Sequence, residues 1–423
     1  VEIAEGLTAA SASKKSGSIT YKTDGQGQYE YMQAVDAPKT DPITKSMTLT
    51  DDYEAIATVA NAYGDKYVSA LFNGSESTSK QNPMVIDMAG HNLTLKSESP
   101  DKIAAGMFVS ANDYINVKNN DATKKLSISS TINDTRGAMG IQLDGNSHLA
   151  ISGAVDIDGV STNGDSVIGI HIQGQNSDIK IDGPLTMKNI TAKRERGNGI
   201  NAAGIRVTGD NSTVTVNDIV DITGIRGNGL NTVGADSSIS VKGGTITAAE
   251  DADKSKLFYA IRVDKGTVSV NMNGQNAGNT TTKINGDVFV NKEYGKRVVE
   301  YSGGELVDFT KNGNLNLALT DNQSFWTGVA GYSIDKSDYG TGGFTAHDAG
   351  DFNLYLQNGA TWTNQQQSSV KQQTNNEATF SGSKVTKLTG GTDKDHAGLI
   401  FQKDNRDITV DNYSGNMKVF YEH

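Results

Sequence analysis

Apolar and polar residues alternate along most of the chain, and the alternation comes in phrases that repeat. "GIQLDGNSHLAI" begins at Gly140, "GIHIQGQNSDIKI" at Gly169 and "GIRVTGDNSTVTV" at Gly204. Aligned on the leading small residue, the phrases start at Gly106, Gly140, Gly169, Gly204, Gly229 and Ala260, at intervals of 25 to 35 residues. Each opens with apolar residues two positions apart: Ile141 and Leu143, Ile170 and Ile172, Ile205 and Val207, Ile261 and Val263. A polar turn follows, then a second alternating run such as Val214 and Val216. A third often comes after it, as in Val155 and Ile157 or Val220 and Ile222. Period two marks strands with one buried face. A repeat length that wanders by several residues marks one stacked unit per repeat, with loops of variable length.

Three short strands per unit, with no helical periodicity between them, predict an all-β fold: a right-handed parallel β-helix. Parallel pairing needs a crossover, which the rest of each rung supplies, and crossovers within one sheet are almost always right-handed. An antiparallel sandwich is the competing architecture. It accounts for the alternation and for Asn-Gly turns such as 73–74 and 163–164, but not for the alignment of the phrases. Residues 1–82 read as an irregular N-terminal cap, with a helix over "DDYEAIATVANAYGDK" (51–66) that Asp51 or Asp52 could cap. Residues 83–300 read as central rungs and 301–423 as further rungs of a different texture, beginning at "GNLNLALTDNQSFWTG" (313–328).

Composition narrows this picture. With 47 Gly, 5 Pro and only 35% hydrophobic residues in 423, the chain suits a thin core with a large surface. It has no Cys, and its net charge of −11 argues against a nucleic-acid partner, which needs a basic field. "VEIAEGLTAA" has neither a basic start nor an apolar stretch, so the sequence reads as a mature or trimmed chain.

The phrases "LYLQNGATWTNQ" (354–365) and "LTGG" followed by "ITVDNYSG" (388–391, 408–415) resemble the end of the passenger region of type V autotransporters of Gram-negative bacteria. That resemblance implies export across the inner membrane and an outer-membrane anchor, with the passenger displayed at the cell surface or released. The anchor of that family is a C-terminal barrel, which this chain does not contain, so the chain reads as passenger alone. These phrases belong to the scaffold and carry no functional residues.

Passengers of this kind are either enzymes or adhesins. "GDSV" (164–167) offers a Gly-Asp-Ser triplet, but a hydrolase also needs a His oriented by a carboxylate. None of the six His stands in such a context. Carbohydrate lyases and glycosidases share the β-helix fold and cluster carboxylates across adjacent rungs. Here the position after the second core residue runs Ser110, Asp144, Gln173, Thr208 and Asp264, so its acids are not adjacent. "TDKDH" (392–396) could offer Asp393 and Asp395 to a cation, but reads as a solvated turn. No catalytic residue, metal or cofactor is expected.

What remains is surface. The residue between the two core positions should point outward on every rung, stacking Phe108, Gln142, His171, Arg206, Asn231 and Arg262 about 4.8 Å apart. Corner loops add Arg136, then Lys193, Arg194 and Arg196, then Arg226, and then Lys254 and Lys256. If these converge, they form a strip suited to sulfate or carboxylate on a glycosaminoglycan. The expected function is adhesion, to host or bacterial glycans or matrix proteins or to a second copy, with biofilm formation as a consequence. The alternatives are a carbohydrate-active enzyme on the same fold and a stalk that binds nothing.

Overall fold

A computed structural model describes residues 19–23, 30–34, 41–58, 67–73, 77–193, 202–248, 258–299, 304–367, 382–403 and 406–422. Strands dominate, and most pair in parallel with a strand two to five elements later, the pairing a β-solenoid makes. Three facets result. The first stacks Tyr67–Phe72, Ile103–Val109, Ala138–Leu143, Val167–Ile172, Ala202–Val207, Asn228–Thr232 and Ile261–Val263. The second runs from Met84–Asp87 through Tyr114–Lys118, His148–Ile151 and Asp178–Ile181 towards Asp407–Ser414. The third runs from Tyr53–Ala57 through Leu93–Ser99, Lys125–Ile132, Ala154–Thr162 and Leu185–Ala192 towards Met417–Tyr421.

The repeated phrase fills one role per residue. Ile141, Ile170, Ile205, Leu230 and Ile261 lie in register and are 0% exposed, as are Leu143, Ile172, Val207, Thr232 and Val263 beside them. The alternation slips at the leading glycine. A Cβ on Gly204 would sit 2.7 Å from the carbonyl oxygen of Gly229 on the next rung and 2.9 Å from Ile225, so only glycine fits between the stacked backbones. The polar turn holds a column of left-handed residues, Asn112, Asn146, Asn176, Asn211 and Asp236, with φ between 49° and 66°. Asn tolerates that conformation. Its side chains also ladder, Nδ2 of Asn211 donating to Oδ1 of Asn176 at 2.9 Å. Next to them Ser147, Ser177, Ser212 and Ser237 are buried, and their hydroxyls donate to turn carbonyls.

The expected helix over 51–66 is absent where the structure describes that segment. Tyr53–Ala57 is a strand with Tyr53, Ala55 and Ala57 facing the core, paired in parallel with Leu93–Ser97. The alanines suit a helix, but the spacing of Tyr53, Ala55 and Ala57 is also period two, and pairing with the next rung overrides propensity. Residues 59–66 lie outside the described residues. Asp52 caps no helix: its carboxylate accepts the Asn92 N–H at 2.8 Å, which is the main reason its pKa is lowered. Rungs therefore begin before residue 83.

Beyond Val290 the first facet adds one short parallel strand, Ala330–Gly331, and an antiparallel sheet branches away from it. Val288–Val299 continues past the coil and pairs with Glu305–Asn312 on one side and Gly343–Ala349 on the other, with Lys336–Tyr339 outermost. The remaining rungs keep the second and third facets, where buried Trp326 and Trp362 stack with ring centres 4.6 Å apart. Their indole N–H groups donate to the carbonyls of Gly286 and Gly328 at 3.0 and 3.1 Å.

Candidate functional site

The expected column stands in register: Phe72, Phe108, Gln142, His171, Arg206, Asn231, Arg262 and Phe289 occupy successive rungs of the first facet, on the side opposite the core. Its expected exposure is corrected. Phe108 is 3% exposed and stacks on Tyr67 at 4.4 Å. Gln142, Arg206 and Asn231 are buried too, as are Met139, Ile168 and Ala203 in the neighbouring row. Both faces of this facet are therefore covered, which suits its nearly continuous apolar runs.

A hydrogen-bonded chain crosses the rungs along the column. Gln142 donates from Nε2 to Gln173 Oε1 at 2.8 Å, and its Oε1 lies 2.8 Å from His171 Nδ1. His171 Nε2 lies 3.1 Å from Thr208 Oγ1. With Nδ1 protonated and Nε2 accepting, the neutral imidazole satisfies both partners. Burial, reinforced by Arg206, pushes the His171 pKa down to about 3.

Where the antiparallel sheet leaves the coil, a cavity of about 210 Å³ opens over the column. Arg206, Asn231 and Arg262 contribute from the facet, and Asp264 and Lys265 from the end of the Ile261–Val263 strand. Glu293 and His347, directly opposite each other in the antiparallel pair, contribute from the sheet. Arg262 lies 5.0 Å from the ring centre of Phe289, and its Nε donates to both Asp264 oxygens at 3.0 and 3.1 Å. Asn231 Nδ2 donates to Asp264 as well. Glu293 sits 3.5 Å from His347 and 3.9 Å from Lys265, and His347 also contacts Asp335 at 2.6 Å. The hydrogen bond between them raises the His347 pKa and lowers that of Glu293.

Arg206 is different. It is 9% exposed, and its Nε is buried with no hydrogen-bond partner among the described residues. Burial lowers its pKa, Asp264 opposes that shift and Arg262 adds to it.

Of the other cations expected in the strip, those that the structure describes do not line this cavity. Arg136 and Lys193 are exposed at the corner between the third and first facets. There Thr162 Oγ1 donates to the Arg136 carbonyl and Lys193 N–H donates to the Thr162 carbonyl. Arg226 points its guanidinium at the Ala192 carbonyl. Arg194, Arg196, Lys254 and Lys256 lie outside the described residues. The residues that sequence reasoning missed are Lys265, Glu293 and His347. The last two reach the site through a sheet that breaks the repeat, so no periodicity pointed to them.

Asp393 does not offer a free carboxylate. It caps a 3-10 turn over Lys394–His396, accepting the N–H groups of Asp395 and His396 and contacting the His396 ring at 2.7 Å. Among the described residues, one trio has ligand atoms within 4.8 Å of one another, Asp51, Asp52 and His91. Among the described residues, no helix is long and apolar enough to cross a membrane.

Compared with models of known families, with curated proteins and with solved structures, the chain finds no match in any of the three.

Proposed function

We propose that this chain is the passenger of a type V autotransporter, a right-handed coil displayed at the cell surface, and that it acts as a non-enzymatic adhesin. Right-handedness follows from the rule for parallel crossovers. The observation that carries the adhesion reading is the outward row of the second facet. Ala150, Lys180, Thr215, Ser240, Ser269, Asn316 and Asn353 stand on successive rungs in one register. Asn353 Nδ2 donates to Asn316 Oδ1 at 2.9 Å, and Asn316 Nδ2 lies 3.4 Å from Ser269 Oγ. From Lys180 on, these side chains are partly exposed or exposed. Short hydroxyls and amides spaced by one rung, about 4.8 Å, form a periodic array of donors and acceptors. A glycan, a matrix protein or an identical coil can engage such an array through many weak contacts, whose avidity exceeds any single affinity.

Displaying the chain on cells and screening them against glycans and matrix proteins tests this, alongside sedimentation of the purified chain at tens of micromolar. Retention on at least one ligand, or reversible self-association, is the expected result. Cells that neither bind nor clump, with a strictly monomeric chain, would remove the adhesion reading.

A further inference from the structure

We infer that the cavity over Arg206 is a binding site for the carboxylate of a single acidic sugar, with the Arg206 guanidinium as its anchor. Four observations lead there. First, a guanidinium is always charged and carries five donors. Burying it without a counter-charge is unfavourable unless something supplies one, yet Arg206 is 9% exposed and its Nε has no partner among the described residues.

Second, the neighbouring charges already satisfy one another. Asp264 is taken by Arg262 and Asn231, and Glu293 by His347 and Lys265. His347 is matched in turn by Asp335. Among the described residues that line the cavity, Arg206, Arg262 and Lys265 stand against the carboxylates of Asp264 and Glu293, so one negative charge is lacking. A monoanion closes that gap. A dianionic phosphate overshoots it and meets repulsion from both carboxylates.

Third, an Arg fork matches the two coplanar oxygens of a carboxylate, and the carboxylates on the rim can accept from ring hydroxyls. Fourth, about 210 Å³ is smaller than the roughly 300 Å³ at which sites for drug-sized ligands begin. One sugar ring fits that space and an oligosaccharide does not.

The site is distinct from the hydroxyl and amide row of the second facet, and the proposal does not rest on adhesion. The test is calorimetry and ligand-observed NMR on the full chain at low salt. The probes are glucuronate, its methyl ester, its methyl glycoside and glucose 6-sulfate. Glucuronate should bind, and the methyl ester, which lacks the charge, should not. Arg206→Gln should weaken glucuronate at least tenfold, and Arg206→Lys, which keeps the charge but loses the fork, should weaken it too. Lys242→Gln, exposed at the bend between the second and third facets, should leave it unchanged. Should Arg206→Gln fail to fold, Arg206→Lys and the ester carry the test.

Binding of the methyl glycoside as well as the free acid identifies a glycan terminus as the source; binding of the free acid alone identifies a soluble sugar acid. Either result supports the site. Equal binding by wild type and a folded Arg206→Gln, binding of the ester as tight as that of the acid, or preference for glucose 6-sulfate would overturn the proposal.

Discussion

On the first facet, the outward residues of successive rungs are Met139, Ile168 and Ala203 in one row and Gln142, His171 and Arg206 in the next, all but His171 buried. On the second facet they are Thr215, Ser240, Ser269 and Asn316, all partly exposed. Both rows arise from the same alternation, so parity settles only which side of a sheet a residue takes. Whether that side meets solvent is decided by the neighbours. The covered face can hold unusual chemistry, such as a neutral His and an unmatched Arg, because low dielectric strengthens each interaction. The open face repeats one bland contact many times. A pocket and an array are the two products.

The first way to break the comparison is at the core beneath both faces. Ile205→Asp buries an unpaired charge where the side chain is 0% exposed. It should cost more than about 4 kcal/mol or abolish folding. Thr215→Asp, on the open face, should stay within about 0.5 kcal/mol. Urea unfolding followed by circular dichroism distinguishes them, and similar midpoints for the two variants would contradict the inward and outward assignment.

Next comes the glycine stack. Gly204→Ala places a methyl 2.7 Å from the Gly229 carbonyl oxygen and about as close to Ile225 and Ile222. Two packed backbones cannot part without disturbing the rungs above and below, so the expected loss is about 3 kcal/mol. An unchanged urea midpoint would mean the rungs are not in the contact described.

A smaller effect belongs to the covered face and depends on pH. The folded pKa of His171 is about 3 against an ordinary 6.5. As pH falls below 6.5 the unfolded chain takes up a proton that the folded chain refuses, so stability drops, by about 2 kcal/mol at pH 5. His171→Gln should flatten that slope in melts between pH 7 and 4. His347 works in the opposite sense. Its pKa is raised, so the stability it adds is complete below 6.5 and fades as pH rises through the raised value. His347→Gln should therefore alter the profile above pH 6.5 and, because it removes the bond that lowers the Glu293 pKa, also soften the loss of stability at the acid end.

The parallel coil was legible because every rung must meet its neighbours, and that demand writes itself into spacing. The columns through Ile205 and Val207 and the row through Arg206 were readable for that reason. The short strand Tyr53–Ala57 was not, since five residues rich in alanine satisfy both periods and only the partner at Leu93–Ser97 decides between them. The buried state of Phe108 and Gln142 was half-written, in runs such as "AMGIQL" where both parities are apolar. The cavity was half-legible too. Arg206 and Arg262 lie in the periodic part, whereas Glu293 and His347 sit on antiparallel strands that answer to no repeat. Arg136 and Arg226 carried the right charge, but at a corner, where Arg226 is engaged by a carbonyl.

The smallest expected effect on stability sharpens the comparison most, because it separates stability from function. Ser240, Ser269 and Asn316 are partly exposed, and the side-chain hydrogen bonds they make to described residues are the 3.4 Å approach of Asn316 to Ser269 and the 2.9 Å donation from Asn353 to Asn316. Water replaces such a contact at little cost, so changing all three to Ala should shift unfolding by less than about 1 kcal/mol in total. The array, however, loses three consecutive rungs of donors and acceptors, and avidity falls with every contact removed. Cell clumping or surface retention by the triple variant should drop severalfold, while glucuronate binding at Arg206 stays at the wild-type level. If stability fell by several kcal/mol instead, the row would belong to the fold and the contrast between the two faces would collapse. If adhesion persisted unchanged in a stable variant, contacts would have to be sought on the third facet, where Ser127, Asp156, Thr186, Asp221 and Thr245 form the corresponding outward row.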